Sequence, residues 1–145
     1  MSKTIFIIAV FMKMLSNGTG SKEGAINAGA LFENISSHED TKAGFLRQIS
    51  DASANPASAK DVGNMLTNVG KDSYASVSFL KMASSDVGSK DGNAQFSKLM
   101  NGVSANSESS AGFISTMARA SGTREGAQLS GRILALEEIA HWYEN

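Results

Sequence analysis

The sequence predicts an all-α protein, and three observations lead to that prediction. Apolar residues recur four positions apart along most of the chain, which places both members of each pair on one face of a helix. Breaks rich in Ser, Gly, Asn and Asp separate these pairs, and such residues cap helices or form turns. Finally, β-branched residues are sparse after residue 16, which disfavours strands.

The first fifteen residues end in an apolar run that only Lys13 interrupts. As a helix, residues 5–15 would rise about 16 Å, roughly half of the ~30 Å hydrocarbon core of a bilayer, so they cannot span it. Two interpretations stay open. The sequence favours a buried first structural element, and with it a cytoplasmic location, over a signal-like segment of an exported chain. Lys3 fits a signal peptide, whereas Lys13 and the lack of an A-x-A-like cleavage site do not.

A glycine-rich link at residues 16–24 follows the apolar run. Its order Gly20-Ser21-Lys22-Glu23 differs from a P-loop, which needs Gly-Lys followed by Ser or Thr, and the Glu23 carboxylate would repel phosphate. We therefore interpret it as a flexible link. At 145 residues the chain fits one domain, which we divide into an apolar leader with its link, residues 1–20, and a helical-repeat domain, residues 21–145.

Seven short helices are predicted in the repeat domain. Its only proline places one boundary, since Asn55 before Pro56 avoids helical geometry while Pro56 itself is accepted in a first turn. The predicted helices cover residues 22–35, 41–52, 57–69, 73–84, 92–102, 107–120 and 124–143. The apolar pairs that anchor them are Leu31/Ile35, Phe45/Ile49, Met65/Val69, Phe79/Ala83, Phe96/Met100, Phe113/Met117 and Leu129/Ile133.

Every second apolar pair recurs after about 34 residues, which predicts hairpin units of two helices. Stacking of such units would give an α-solenoid-like array, in which each unit buries its apolar face on its neighbours. Evenly spaced helices around one core would instead give a small helical bundle. Both arrangements stay open.

The composition excludes several classes of function. There is no cysteine, which rules out disulfides, thiolate nucleophiles and Cys-based metal sites. Lys plus Arg number 13 against 14 Asp plus Glu, so no net positive field attracts nucleic acid. Of the two histidines, His38 lies in a predicted turn and His141 near the chain end, and neither has metal-ligand spacing. We expect no catalytic, cofactor-binding or metal-binding residues.

The C-terminal helix carries the only tryptophan of the chain, Trp142, beside Tyr143 and His141. Trp142 and Tyr143 could cap the last unit by packing inward. Alternatively, these three residues could contact a partner, because Trp and Tyr are favoured as interface anchors. We carry His141, Trp142 and Tyr143 forward as candidate partner contacts.

These observations predict a non-catalytic helical-repeat protein that acts as a protein–protein interaction or scaffold module. Its expected partner is another protein or a second copy of itself, with no nucleic acid and no membrane span. The alternative is an exported structural or self-assembling subunit, which the low charge and the Ser-, Gly- and Ala-rich composition also fit.

Overall fold

The computed structural model describes the backbone of residues 3–144 and the side chains of residues 7–135. Within those residues the chain forms eight α-helices and no strand, which confirms the all-α prediction. The leader forms the first helix, in addition to the seven expected. The helices are α1 (Lys3–Gly18), α2 (Lys22–Ser36), α3 (Glu39–Ala54), α4 (Pro56–Val69), α5 (Ser73–Asp86), α6 (Lys90–Ser104), α7 (Ser107–Ala120) and α8 (Arg124–Glu144).

The helix boundaries recur with a period of 17 residues. From α2 onward, the residue that precedes each helix lies 17 positions after the residue that precedes the previous helix. Six of these seven residues accept a hydrogen bond on the side chain from a backbone N–H of the next turn, whereas His38 makes no such bond. They are Ser21, His38, Asn55, Asp72, Ser89, Asn106 and Thr123. The repeat unit is therefore a single helix with its turn, and two such units make up the 34-residue spacing.

The most extensive packing joins each helix to the third helix after it. Helix α1 lies against α4 and α4 against α7, α2 against α5 and α5 against α8, and α3 against α6. Helices adjacent in sequence contact each other less. The bundle therefore consists of three parallel stacks of helices rather than of two-helix hairpins that stack as units. Three consecutive helices make one layer.

Aromatic rings connect the layers through the core. The Phe32 ring lies 5.3 Å from that of Phe79 and 5.8 Å from that of Phe45, measured between ring centroids. Phe79 lies in turn 6.4 Å from Phe113, and Phe45 lies 6.1 Å from Phe11 of the leader helix. Most of these contacts are edge-to-face, the arrangement favoured by the ring quadrupoles. The leader helix also buries Met12 completely, so it contributes to the core.

Glycines and small hydroxyl side chains allow the stacked helices to approach closely, as the α4/α7 interface shows. A Cβ added to Gly112 of α7 would lie 2.5 Å from the carbonyl oxygen of Gly63 in α4. On either side of this contact, hydroxyls of α7 donate to carbonyls of α4: Ser109 to Ala59 at 3.0 Å and Thr116 to Leu66 at 2.7 Å. Backbone carbonyls that already accept within a helix thus also bind the neighbouring helix.

Replacement of Phe79 by Ala should lower the free energy of unfolding by about 3–5 kcal/mol, because the ring is fully buried between layers. Urea unfolding monitored by circular dichroism measures the loss. Ile114→Ala is the control, since its side chain is 64% exposed and should cost far less. Equal losses for the two variants would contradict this assignment of the core.

Gly112→Ala should destabilise the chain by about 1–3 kcal/mol, because its methyl group would force α7 away from the α4 backbone. Gly44→Ala is the matched control. A Cβ at Gly44 has no atom within 4 Å, so Ala there should add up to about 1 kcal/mol through helix propensity. Thermal melts in dilute solution compare the two, and opposite signs are expected.

Candidate functional site

The three predicted partner-contact residues lie at the far end of α8. The backbone of His141, Trp142 and Tyr143 is helical, but their side chains lie outside the described residues. Their contact role stays a prediction. The other histidine, His38, lies exposed in the α2–α3 turn, where its Nδ1 is 3.0 Å from the Ser37 hydroxyl.

In the part of the chain that the structure describes, no three His, Cys, Asp or Glu side chains lie close enough together to hold a metal ion. Over the same residues, no helix combines the length and apolarity needed to cross a bilayer.

A shallow basic depression lies at the edge where α2 and α5 begin. Three overlapping hollows of 390 to 450 Å³ share Lys71 and Arg119, and Lys22 lines one of them. The Arg119 guanidinium already donates through Nε and Nη2 to the Lys71 carbonyl, at 3.1 and 2.8 Å. This arginine therefore caps the end of α4 from α7, and the depression is a junction between helices.

Two buried ionisable side chains lie away from that edge. Lys42 of α3 and Asp86 of α5 are each 4% exposed, and the Lys42 Nζ donates to the Ser85 hydroxyl at 2.9 Å. Burial raises the pKa of the Asp86 carboxyl above its usual value, while the Lys42 charge opposes the shift and Glu39 adds to it. The Asp86 Oδ2 is buried without a hydrogen-bond partner, so the ionised carboxylate is poorly solvated.

The surfaces at the two ends of the stacks are the strongest candidates for a binding site. We define the first end face as the sides of α1–α3 that point away from the later layers, and the second end face as the opposite sides of α6–α8. The first end face consists of Ile7, Val10, Met14, Asn27, Leu31, Thr41, Gly44 and Gln48. The second end face consists of Ser97, Met100, Ile114, Met117, Ala127, Gly131 and Leu134.

Comparison of residues at the same position of the 17-residue repeat shows that the second end face lacks a covering helix among the described residues. Leu134 is 54% exposed, yet the residues at the same repeat position in α2 to α5 are at most 1% exposed. Those equivalents are Phe32, Ile49, Leu66 and Ala83. Each of them lies on a helix that a third following helix covers, and no such helix covers α8 among the described residues. Within the described part of the chain, the exposure therefore comes from the lack of a covering helix and not from a polar sequence.

At the first end face, residues are exposed because no helix three positions earlier covers them in the part of the chain that the structure describes. Met14 is 63% exposed and Leu31 is 37% exposed, whereas their equivalents in α4 to α6 are fully buried against the helix three positions earlier. Those equivalents are Met65, Met82 and Leu99. Ile7 and Val10 extend the exposed apolar stripe along α1, at 65% and 43% exposure.

None of these positions is charged, although Asp40 and Asp51 of α3 occupy the repeat positions of Glu108 and Arg119, which contact α4 and its end from α7. The solvent-facing side of the stacks, in contrast, carries Arg47, Lys81, Lys98 and Arg132 at one repeat position. Exposed large apolar side chains that lie together are typical of the core of a protein interface. The sequence contained the signal for these faces, but only an alignment of the 17-residue repeats makes it visible.

Comparison of the chain with protein-family models, with curated proteins and with solved structures found no match. The functional assignment therefore depends on the surfaces and packing of the chain itself.

Stability should depend on pH through Asp86. Because the native state holds the carboxyl proton more tightly than the unfolded state, the free energy of unfolding should fall as the pH rises above about 3.8, relative to that of Asp86→Asn. Thermal melts between pH 3 and 6 measure the difference. Asp51→Asn removes an exposed carboxylate from α3 and should follow the wild type. Parallel curves for the wild type and Asp86→Asn would contradict the assignment.

Proposed function

We propose that the chain is a non-catalytic helical-repeat protein that acts as a protein–protein interaction or scaffold module. The observation that carries this proposal is the pair of uncovered end faces, where repeat positions that are buried in the interior become exposed and apolar. A protein surface is the partner whose chemistry suits them, because it can bury Ile7, Met14 and Leu134 and supply hydrogen bonds to the polar positions between them.

The distribution of charge supports a protein partner over nucleic acid. Binding to phosphates needs a clustered basic surface, and the net charge of the chain is -1. Lys22, Lys71 and Arg119 do line one depression, but Asp72 lines it as well, and the Arg119 guanidinium already donates to the Lys71 carbonyl. The apolar side chains that the end faces expose, such as Met14 and Leu134, lie apart from this depression.

A structural or self-assembling subunit is the second candidate function. It is favoured by one observation, namely that the residues of the two end faces occupy complementary positions of the same repeat. An interaction module for a different protein does not require such a match between its own two ends.

Face-specific variants test the proposal. The immobilised full chain should retain a protein from its native source, and Met14→Asp or Leu134→Asp should abolish that retention by placing a charge in an apolar contact. Both positions are more than half exposed, so circular dichroism should show an intact fold. Asn64→Asp, exposed in the middle of the stack, is the control and should retain the protein. Retention of nothing, or equal retention by all variants, would contradict the proposal.

A further inference from the structure

We infer that the partner of the second end face is the first end face of another copy of this chain. The helices of the second copy would continue the packing of each helix on the third helix before it, so that α1, α2 and α3 of one molecule lie on α6, α7 and α8 of the next. This inference rests on the proposed function and identifies the partner as a second copy of the chain, which each face binds through the other.

The strongest support comes from the glycines of α3 and α8. Gly131 lies 68 residues, or four repeats, after Gly63, and Gly44 lies 68 residues before Gly112. Gly63 and Gly112 form the close contact of the α4/α7 interface. At Gly44 and Gly131, in contrast, an added Cβ would meet no atom within 4 Å. The chain thus carries the two halves of its own interior contact at opposite ends, both unoccupied.

The hydrogen bonds of the α4/α7 interface have counterparts at the same two ends. Ser109, which donates to the Ala59 carbonyl, corresponds to Thr41 of α3, and Ala59 corresponds to Ala127 of α8. Thr41 is exposed and retains a hydroxyl donor. When Gly44 of one molecule lies on Gly131 of the next, the Thr41 hydroxyl comes opposite the Ala127 carbonyl.

The second hydrogen bond of the α4/α7 interface has a counterpart whose donor side chain is longer. Thr116, which donates to the Leu66 carbonyl, corresponds to Gln48 of α3, and Leu66 corresponds to Leu134 of α8. The Gln48 side chain also carries a donor, its amide N–H. The polar positions of the first end face therefore match acceptors of the second in the same order as within the chain.

The apolar stripe of α1 also lies at repeat positions that are buried in the interior. Ile7, Val10 and Met14 occupy the repeat positions of Ala75, Ser78 and Met82 in α5, all three of which are buried in the stack that α5 forms on α2. In a second copy the stripe would lie on α6, where Met100 and Ser97 are partly exposed. Ser97 and Ile7 stand where the α2/α5 contact has Gly29 and Ala75, so α1 of the second copy would lie farther from α6 than α5 lies from α2.

An interface between two different faces is heterologous and does not close on itself unless its rotation forms a ring. Each bound molecule presents a free end face to the next. Association by this contact should therefore proceed beyond the dimer as the protein concentration rises.

Two blocking variants test the inference. Gly131→Gln fills the second end face and Gly44→Gln fills the first, and neither added side chain meets an atom of its own molecule at Cβ. By light scattering after size exclusion, the wild type should exceed its monomer mass of 15.2 kDa increasingly with concentration, while each variant alone remains monomeric. Asn64→Gln, on the solvent-facing side, should associate like the wild type.

Mixing the two variants provides the decisive measurement. Each retains the face that the other has lost, so the mixture should form a 1:1 dimer that does not grow further. A Gly131→Gln variant that still self-associates would indicate contact between two first end faces and would overturn the head-to-tail arrangement. A wild type that is monomeric at all concentrations would also overturn the inference, yet retention of a different protein through the end faces would leave the proposed function standing.

Discussion

The close approach of each helix to the third helix after it is the contact on which the rest of the fold depends. It requires glycine at the crossing point, as at Gly63 and Gly112, and short hydroxyl side chains that reach the carbonyls of the neighbouring helix. The helices of 14 to 16 residues from α2 to α7 are too short for much stability alone, so this packing holds them. The aromatic rings then fill the space between three stacks whose positions the small residues have set.

The same constraint explains why the chain needs few large apolar residues. Where helix backbones approach within contact of a glycine, little space remains between them, and rings such as Phe79 and Phe113 fill it together with buried Leu, Ile and Met side chains. Thr116 at the interface buries its hydroxyl at little cost, because the Leu66 carbonyl accepts its hydrogen bond. The lean composition is thus a consequence of close packing rather than of a small core.

The helices were predictable because their signals are local. The Asn55-Pro56 boundary and the serine- and glycine-rich breaks depend on turn and cap chemistry that acts within a few residues. The order of packing was not predictable in this way. The pairing of Phe45 with Ile49 shows which side of a helix faces inward, but it does not show which other helix lies opposite. The predicted hairpins assumed that each helix packs mainly on the next one in sequence. The glycines instead allow the closest approach to the third helix after it.

The end faces were missed for a related physical reason. Met117 was assigned to the apolar pattern with Phe113, yet it is only partly buried, because the helix that would cover this side of α7 is absent among the described residues. Periodicity reports which side chains can be buried and not whether a neighbour exists to bury them. Exposure at Leu31 and Leu134 therefore reflects position in the array, which no property of the individual residue records.

The single-helix repeat has a consequence for how such a chain can change in length. Insertion or loss of one 17-residue unit keeps every cap in register, but it moves the last uncovered helix from one stack to the next. The terminal surface would then point in a different direction around the long axis, although its local chemistry is unchanged. Only a change by whole layers of three helices preserves both. Duplication of one unit would preserve the local packing, whereas the direction of the terminal surface is preserved only when the length changes by a multiple of three helices.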